Sequence, residues 1–352
     1  MEPGQPREEA SSLKTWGVRL LKAGITVLAL WLTWRLLQGI DWSVLEERLE
    51  EANWYYMVPG LLLMTGRYLL WEARIRQASW LAIGQRPGWG LSFWVLLASA
   101  ALNLITPSAR LIGGPMRARY FARGLARPFG QVYGVVLYDQ VAHQAAMSGC
   151  TWIAVIVAAP SFGQAWVGVL GAVLLVAAVP GLLLWSRRSR GLGENPLVRF
   201  LARRAAKTEG RTQRLYSHGH EAVGVFVRLL GENRLHGLAA VLGGIFFLTN
   251  ILAQWCVFRS LDLEVEPLVI VAGVALGNAA GMLTGTPGGL GTTEAAMVAT
   301  FAALGMDRVD AAAGTLLYRA LHYLSILGLG VPALLVLELK PGAEPAADSP
   351  PV

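Results

Sequence analysis

The chain is 352 residues long, 54% hydrophobic and 15% charged, with a mean hydropathy of +0.47 and a formal net charge of +7. Soluble domains carry about 25% charged and about 45–50% apolar residues. That contrast excludes a soluble globular class, and the chain reads as an all-α, polytopic integral membrane protein. No cofactor motif, nucleotide-binding loop or nucleic-acid partner is indicated.

Apolar stretches of about 20 residues recur from Ile25 to Leu337, each long enough to cross roughly 30 Å of hydrocarbon. The first follows Lys14, Arg19 and Lys22 and lacks a small-residue cleavage site. It reads as a retained helix with a cytoplasmic N-terminus. The loop from Asp41 to Asn53 is acidic, with Asp41, Glu46, Glu47, Glu50 and Glu51 against Arg48 alone, and is expected outside. A second span, about Trp54 to Glu72, returns to Arg74, Arg76 and Arg86 on the cytoplasmic side. Trp16, Trp42, Trp54, Trp71, Trp89, Trp166 and Trp185 fall near run ends, as interfacial anchors do.

The apolar segment from Leu91 to Thr106 makes only about 24 Å of helix. It contains Asn103 and runs into Thr106-Pro107-Ser-Ala-Arg110-Leu-Ile-Gly113-Gly114-Pro115-Met-Arg117, then Arg119, Arg123 and Arg127. Five arginines outside would violate the charge rule. The segment therefore reads as a hairpin that enters from the cytoplasm, breaks at Pro107 and returns. A long helix from Gly130 to about Ala159 leads outward, and another from Gly163 to Trp185 leads in to Arg187, Arg188 and Arg190.

The stretch 187–234 is basic, and Asn195-Pro196 marks a helix start. Leu197, Phe200 and Leu201 beside Arg199, Arg203 and Arg204 suit a helix on an anionic leaflet, or a merely solvated basic helix. His218-Gly-His220-Glu221 lacks the i, i+4 spacing of a helical metal pair and a further ligand, so no metal site is expected.

The span His236 to Phe258 goes out to Asp262, Glu264 and Glu266. Leu268 to Thr286 then enters from outside and breaks at Thr284-Gly-Thr286-Pro287-Gly288-Gly289-Leu-Gly291-Thr-Thr-Glu294. Proline removes a backbone donor and the glycines favour unwinding. Lipid tolerates such a break only where protein or a wet cavity covers it, so it marks a path or a binding site. The return helix reaches Asp307 and Asp310, and the last span, Ala311 to Leu337, ends inside at Glu338 and Lys340. A Pro/Ala-rich tail, 341–352, is expected to be disordered. Cys150 and Cys256 stand singly in apolar surroundings and read as small core residues.

Thr106-Pro107 recurs as Thr286-Pro287, and the same shift lays Gly134-Val-Val-Leu137-Tyr138 on Gly314-Thr-Leu-Leu317-Tyr318. Charge parity gives the two halves, about 54–160 and 235–338, opposite orientations. The expected organisation is a single domain over 1–340, with about six full spans, two broken hairpins and an inverted repeat, an arrangement in which transporters bind substrate near mid-membrane. The shift also places Asp139 opposite Arg319. Isolated charges in a membrane helix cost about 2.5–3.5 kcal/mol each on insertion scales, so these two are expected to pair across the pseudo-twofold axis, as a structural lock or as a gate. His143 and His322 lie one turn beyond, as packing residues or proton carriers.

With these motifs the chain resembles the flippase-like transmembrane family related to the membrane region of lysylphosphatidylglycerol synthases, over roughly residues 15 to 338. The Pro287-Gly288-Gly289-Leu-Gly291-…-Glu294 element is the more specific carrier, and Tyr318-Arg319 accords with it. Asn103-…-Pro107-…-Arg110-…-Gly113-Gly114-…-Arg117 matches the family's earlier pattern, although the acid that often follows that glycine is absent and Pro115 stands near it. The resemblance implies movement of anionic, aminoacylated or polyprenyl-linked lipids between leaflets, with lipids as partners and a separate synthase or glycosyltransferase as a possible one. No catalytic domain is expected here.

The candidate translocation residues are therefore Asn103, Pro107, Arg110, Arg117, Asp139, His143, Thr286, Pro287, Gly288, Gly289, Gly291, Glu294, Arg319 and His322. Arginine is the natural phosphate partner because its planar fork bonds two oxygens, so Arg110 and Arg117 could collect a phosphate, or serve as positive-inside anchors. Glu294 could accept from a headgroup, pair with an arginine of the other half, or cap its helix. The competing classes are an integral membrane enzyme or enzyme subunit acting on a lipid phosphate, and an assembly partner for a synthase.

Overall fold

The computed structural model describes residues 42–105, 113–165, 196–206, 208–284 and 287–339. All regular structure among them is helical. In chain order the helices are α1 (Trp42–Glu50), α2 (Trp54–Ile83), α3 (Trp89–Ile105), α4 (Gly113–Leu125), α5 (Phe129–Ala158), α6 (Pro196–Ala206), α7 (Gly210–Leu230), α8 (Asn233–Ser260), α9 (Pro267–Thr284), α10 (Thr292–Ala303) and α11 (Arg308–Leu339).

Local chemistry sets several of these boundaries. Asn53 opens α2 by accepting the Tyr55 N–H at 2.9 Å, and Gly84 closes it in the left-handed region at φ 68°. Helix α6 begins at Pro196, where the sequence places a start. The sequence reading ends the second span near Glu72, but α2 runs 30 residues to Ile83. Arg74 and Arg76 thus lie within a helix rather than in a receiving loop. The charges at Arg74 and Arg76 suggest a helix end, and Asp139 on α5 for Arg74 and the Pro87 carbonyl and Trp89 ring for Arg76 override that signal.

Three described helices are long and apolar enough to cross a bilayer, at Phe129–Gly163, Asn233–Ser260 and Arg308–Glu338. Trp89–Leu104 and Pro267–Met282 are apolar but shorter. The expected first span and the bulk of Gly163 to Trp185 lie outside the described residues, as does the tail. Trp54 and Trp89 sit exposed at helix starts, in keeping with interfacial anchoring. Trp71 does not; it points into the interior, as described below.

The series α2–α5 recurs in kind and length as α8–α11. A nearly constant shift relates their starts, Trp54 to Asn233, Trp89 to Pro267, Gly113 to Thr292 and Phe129 to Arg308. Helices α2 and α8 pack antiparallel. The Asn53 N–H donates to the Ser260 carbonyl at 2.6 Å, Gly60 faces Cys256 and Ala253, and Arg67 reaches Asn250. The remaining packing is reciprocal, with α3 against α11 and α9 against α5. Small residues permit the close approach, as where Gly330 backs onto the Leu97 carbonyl and Ala101.

One apolar cluster gathers Phe258, Phe301, Ile270 and Ala311–Ala313 in the second half, and another gathers Ile75, Phe121, Val135 and Tyr138 in the first. A third joins α3 to α11 through Leu97, Ala101 and Ile326. Leu62, Leu69, Val241, Ile245, Leu248 and Leu324 lie exposed on the outside, as a lipid-facing surface requires. Helix α7 covers α5 and α6. Cys150 and Cys256 are free thiols.

Candidate functional site

The second break is held open by backbone geometry that glycine alone adopts readily. Gly288, Gly289 and Gly291 have φ of 57°, 72° and 81°, and Gly291 serves as the N-cap of α10. The backbone of Pro287 begins the short 3-10 turn. Asn103 near the end of α3 accepts the Gly113 N–H on its Oδ1 at 3.0 Å and so ties α3 to the start of α4. Pro107, Arg110 and Thr286 lie outside the described residues.

Between the two series lies a cavity of about 380 Å³. It is lined by α2, α3 and α5 on one side and by α8, α9, the Gly288-Gly289 turn, α10 and α11 on the other. Of the sequence candidates, Asn103, His143, Gly288, Gly289, Arg319 and His322 line it. Its size falls within the roughly 300–1,000 Å³ of small-ligand pockets.

Asp139 on α5 is fully buried and collects three donors. Arg74 Nε reaches Oδ1 at 2.7 Å, while Arg117 Nη1 at 3.0 Å and Trp71 Nε1 at 2.6 Å reach Oδ2. The Trp71 ring stacks on His143 with centroids 4.9 Å apart, and the Arg117 guanidinium lies 5.0 Å from the Trp71 centroid. Arg74 Nη1 also points at His143 Nδ1, 3.3 Å away. This arrangement corrects two expectations. Arg117 is buried against Asp139 rather than held out to a leaflet, and Arg74 is not an anchor in a loop.

Across the cavity Glu294 and Arg319 form the second cluster. Arg319 Nε donates to Glu294 Oε1 at 2.7 Å, and its Nη2 donates to the Gly288 carbonyl at 2.7 Å and to the Tyr323 hydroxyl at 2.5 Å. The expected Asp139–Arg319 pair is therefore absent, because each residue is neutralised by the short helix of its own half. Glu294 pairs with an arginine of its own half rather than the other, and the N-terminus of α10 carries no side-chain cap bond. Arg319 instead fastens the glycine turn to α11.

Arg67, at the middle of α2, is buried and lines the cavity, and sequence reasoning did not select it. Its Nη1 donates to Asn250 Oδ1 and its Nη2 meets His322 Nδ1 at 2.7 Å. The guanidinium rests against Phe246, 5.0 Å from the centroid. Nε has no partner, and among the described residues Arg67 forms no ion pair. The signal was present in the sequence, since a lone arginine inside an apolar run costs about 2.5–3.5 kcal/mol by insertion scales and invites a functional reading.

Four arginines (Arg67, Arg74, Arg117 and Arg319) are thus buried with three acids, Glu72, Asp139 and Glu294. Neither oxygen of Glu72 has a hydrogen-bond partner. Among the described residues no group of three His, Cys, Asp or Glu side chains is placed to hold a metal. His218 packs edge-on against Phe129, with ring centroids 5.7 Å apart.

A family sequence model described as the lysylphosphatidylglycerol synthase TM region matches residues 19–330. A UPF0104 membrane protein of Methanothermobacter thermautotrophicus is similar at 22% identity over 336 residues, covering 92% of this chain and 96% of the relative. A second UPF0104 membrane protein, from Methanocaldococcus jannaschii, is 24% identical over 252 residues, covering 70% of this chain and 74% of its own length.

Proposed function

The chain belongs to the lysylphosphatidylglycerol synthase transmembrane-region family, and from that premise we propose that it carries an anionic, aminoacylated or polyprenyl-linked lipid between leaflets, without itself being an enzyme. The observation that carries this reading is the cavity shared by both series of helices and walled by the Gly288-Gly289 turn. A translocator must shelter a charged headgroup at mid-membrane while the tails stay in hydrocarbon. Polar and cationic groups inside, with exposed apolar side chains on α2, α8 and α11 outside, suit that division.

The antiparallel α2 and α8 and the reciprocal α3–α11 and α9–α5 packing support an inverted repeat. Opposed hairpins then enter from the two faces, within about six spans. The positive-inside rule supports a cell-membrane protein with both termini cytoplasmic. Alternating access would proceed by rocking one half against the other about the fixed cavity. A separate synthase that makes the lipid is the partner this role implies.

Reconstituted vesicles test the function. With a fluorescent anionic lipid in both leaflets and an impermeant quencher outside, the protein is expected to expose the inner-leaflet label. Arg319→Gln should slow that loss. Signal from protein-containing vesicles that matches empty vesicles would remove the reading, and chemical turnover of the lipid by purified protein would replace it with an enzymatic one.

A further inference from the structure

Resting on the translocation reading, we infer that Arg67 is the anion receptor of the cavity and that its ligand is a singly charged phosphodiester. Arg74 and Arg117 share the Asp139 carboxylate and Arg319 has that of Glu294, whereas Arg67 bonds to the side chains of Asn250 and His322. Only 3% of the residue is exposed, and its Nε–H faces no acceptor. A buried cation without a counter-charge is a strained state that an entering anion relieves. Arg67 brings one positive charge to the cavity wall with no carboxylate against it, and a singly negative ligand matches that charge.

The surroundings also fix the shape of the site. Phe246 lies against the guanidinium, 5.0 Å from the ring centroid, and Nε–H is the donor left without a partner, so the Nε–Nη2 edge is the one that two oxygens of one phosphate would take. A guanidinium has only donors to offer, so the 2.7 Å contact of Arg67 Nη2 with His322 Nδ1 places His322 as a partner that holds the guanidinium in position. Asn250 Oδ1 also accepts from Tyr318 at 3.3 Å, and its Nδ2 donates to the Phe246 carbonyl at 3.1 Å, which locks the side chain that orients Arg67. Arg67 is the fourteenth residue of the 30-residue α2, roughly 20 Å from either end, so an anion bound there lies well inside the bundle, away from both ends of the helix.

The experiment compares wild type, Arg67→Gln and Arg67→Lys in detergent. Binding of short-chain phosphatidylglycerol, of tail-free glycerophosphoglycerol and of inorganic phosphate is measured by calorimetry, together with the melting temperature of each ligand-free protein. Arg67→Gln should weaken phosphodiester binding by at least about tenfold, as loss of a charge-assisted bond implies. It should also melt no lower than wild type when empty, because it removes an unpaired charge. Arg67→Lys should bind with intermediate affinity. Binding of the tailed lipid alone identifies a membrane source and equal binding of glycerophosphoglycerol a soluble one, and either outcome upholds the Arg67 site.

Unchanged affinity in Arg67→Gln would overturn the site, as would a lower melting temperature of the empty variant. Vesicle assays on the same proteins separate the two claims. Wild-type binding without lipid transfer leaves the Arg67 site standing and removes the transport role. Wild-type transfer rates in Arg67→Gln do the reverse.

Discussion

The two ion-pair clusters beside the cavity join equivalent helices with the signs exchanged. In the first, the cation Arg117 stands on the short α4 and the acid Asp139 on the long α5; in the second, the acid Glu294 stands on the short α10 and the cation Arg319 on the long α11. The shift that lays Asp139 on Arg319 also lays Gly114, one turn before Arg117, on Glu294. What the two halves share is neutralisation between the return helix and the long helix, whichever side carries the charge. They differ in the third partner. Asp139 also binds Arg74 and Trp71 of α2, while Arg319 also binds the Gly288 carbonyl of the turn. The first cluster thus anchors the helix that presents Arg67, and the second clamps the break.

Removing the hub of the first cluster should have the largest effect. Asp139→Asn leaves Arg74 and Arg117 buried with no acid, and a loss of about 3–5 kcal/mol is expected, read as a fall in the melting temperature of the purified protein. Glu294→Gln should do less, about 2 kcal/mol, because Arg319 keeps its bonds to Gly288 and Tyr323. Reversing the pair, with Glu294→Arg and Arg319→Glu together, imitates the order of the first half and should recover part of the stability that either reversal alone loses. Failure to recover would show that the sign exchange is not tolerated there.

Smaller effects follow. Gly288→Ala forces a side chain into the left-handed region beside Leu104, at about 1–2 kcal/mol, and should lower both stability and lipid transfer. Glu264→Gln breaks only the exposed Arg259–Glu264 pair, and no measurable change in melting temperature is expected.

The glycine turn after α9, the start of α6 and the recurrence of motifs at one shift could be read from the chain, because proline, glycine and hydropathy act locally. The pairing of the charges could not. A constant shift identifies equivalent positions, and equivalent positions need not touch; Asp139 and Arg319 each turned to a neighbour in its own half. Arg74 and Trp71 were misread for a related reason. Their charge and aromaticity suggested a membrane boundary, while the carboxylate that buries them lies far along the chain, on α5. Arg67 was legible by the same rule that singled out Asp139, a lone charge in an apolar run.

The inverted arrangement proposed for the two halves is tested most directly by the sidedness of two equivalent loops. In a cysteine-free background, Ala126→Cys between α4 and α5 and Asp307→Cys between α10 and α11 are both exposed positions. An impermeant maleimide should label Asp307→Cys in intact cells and Ala126→Cys only after permeabilisation. Labelling of both from the same side would contradict the opposed hairpins.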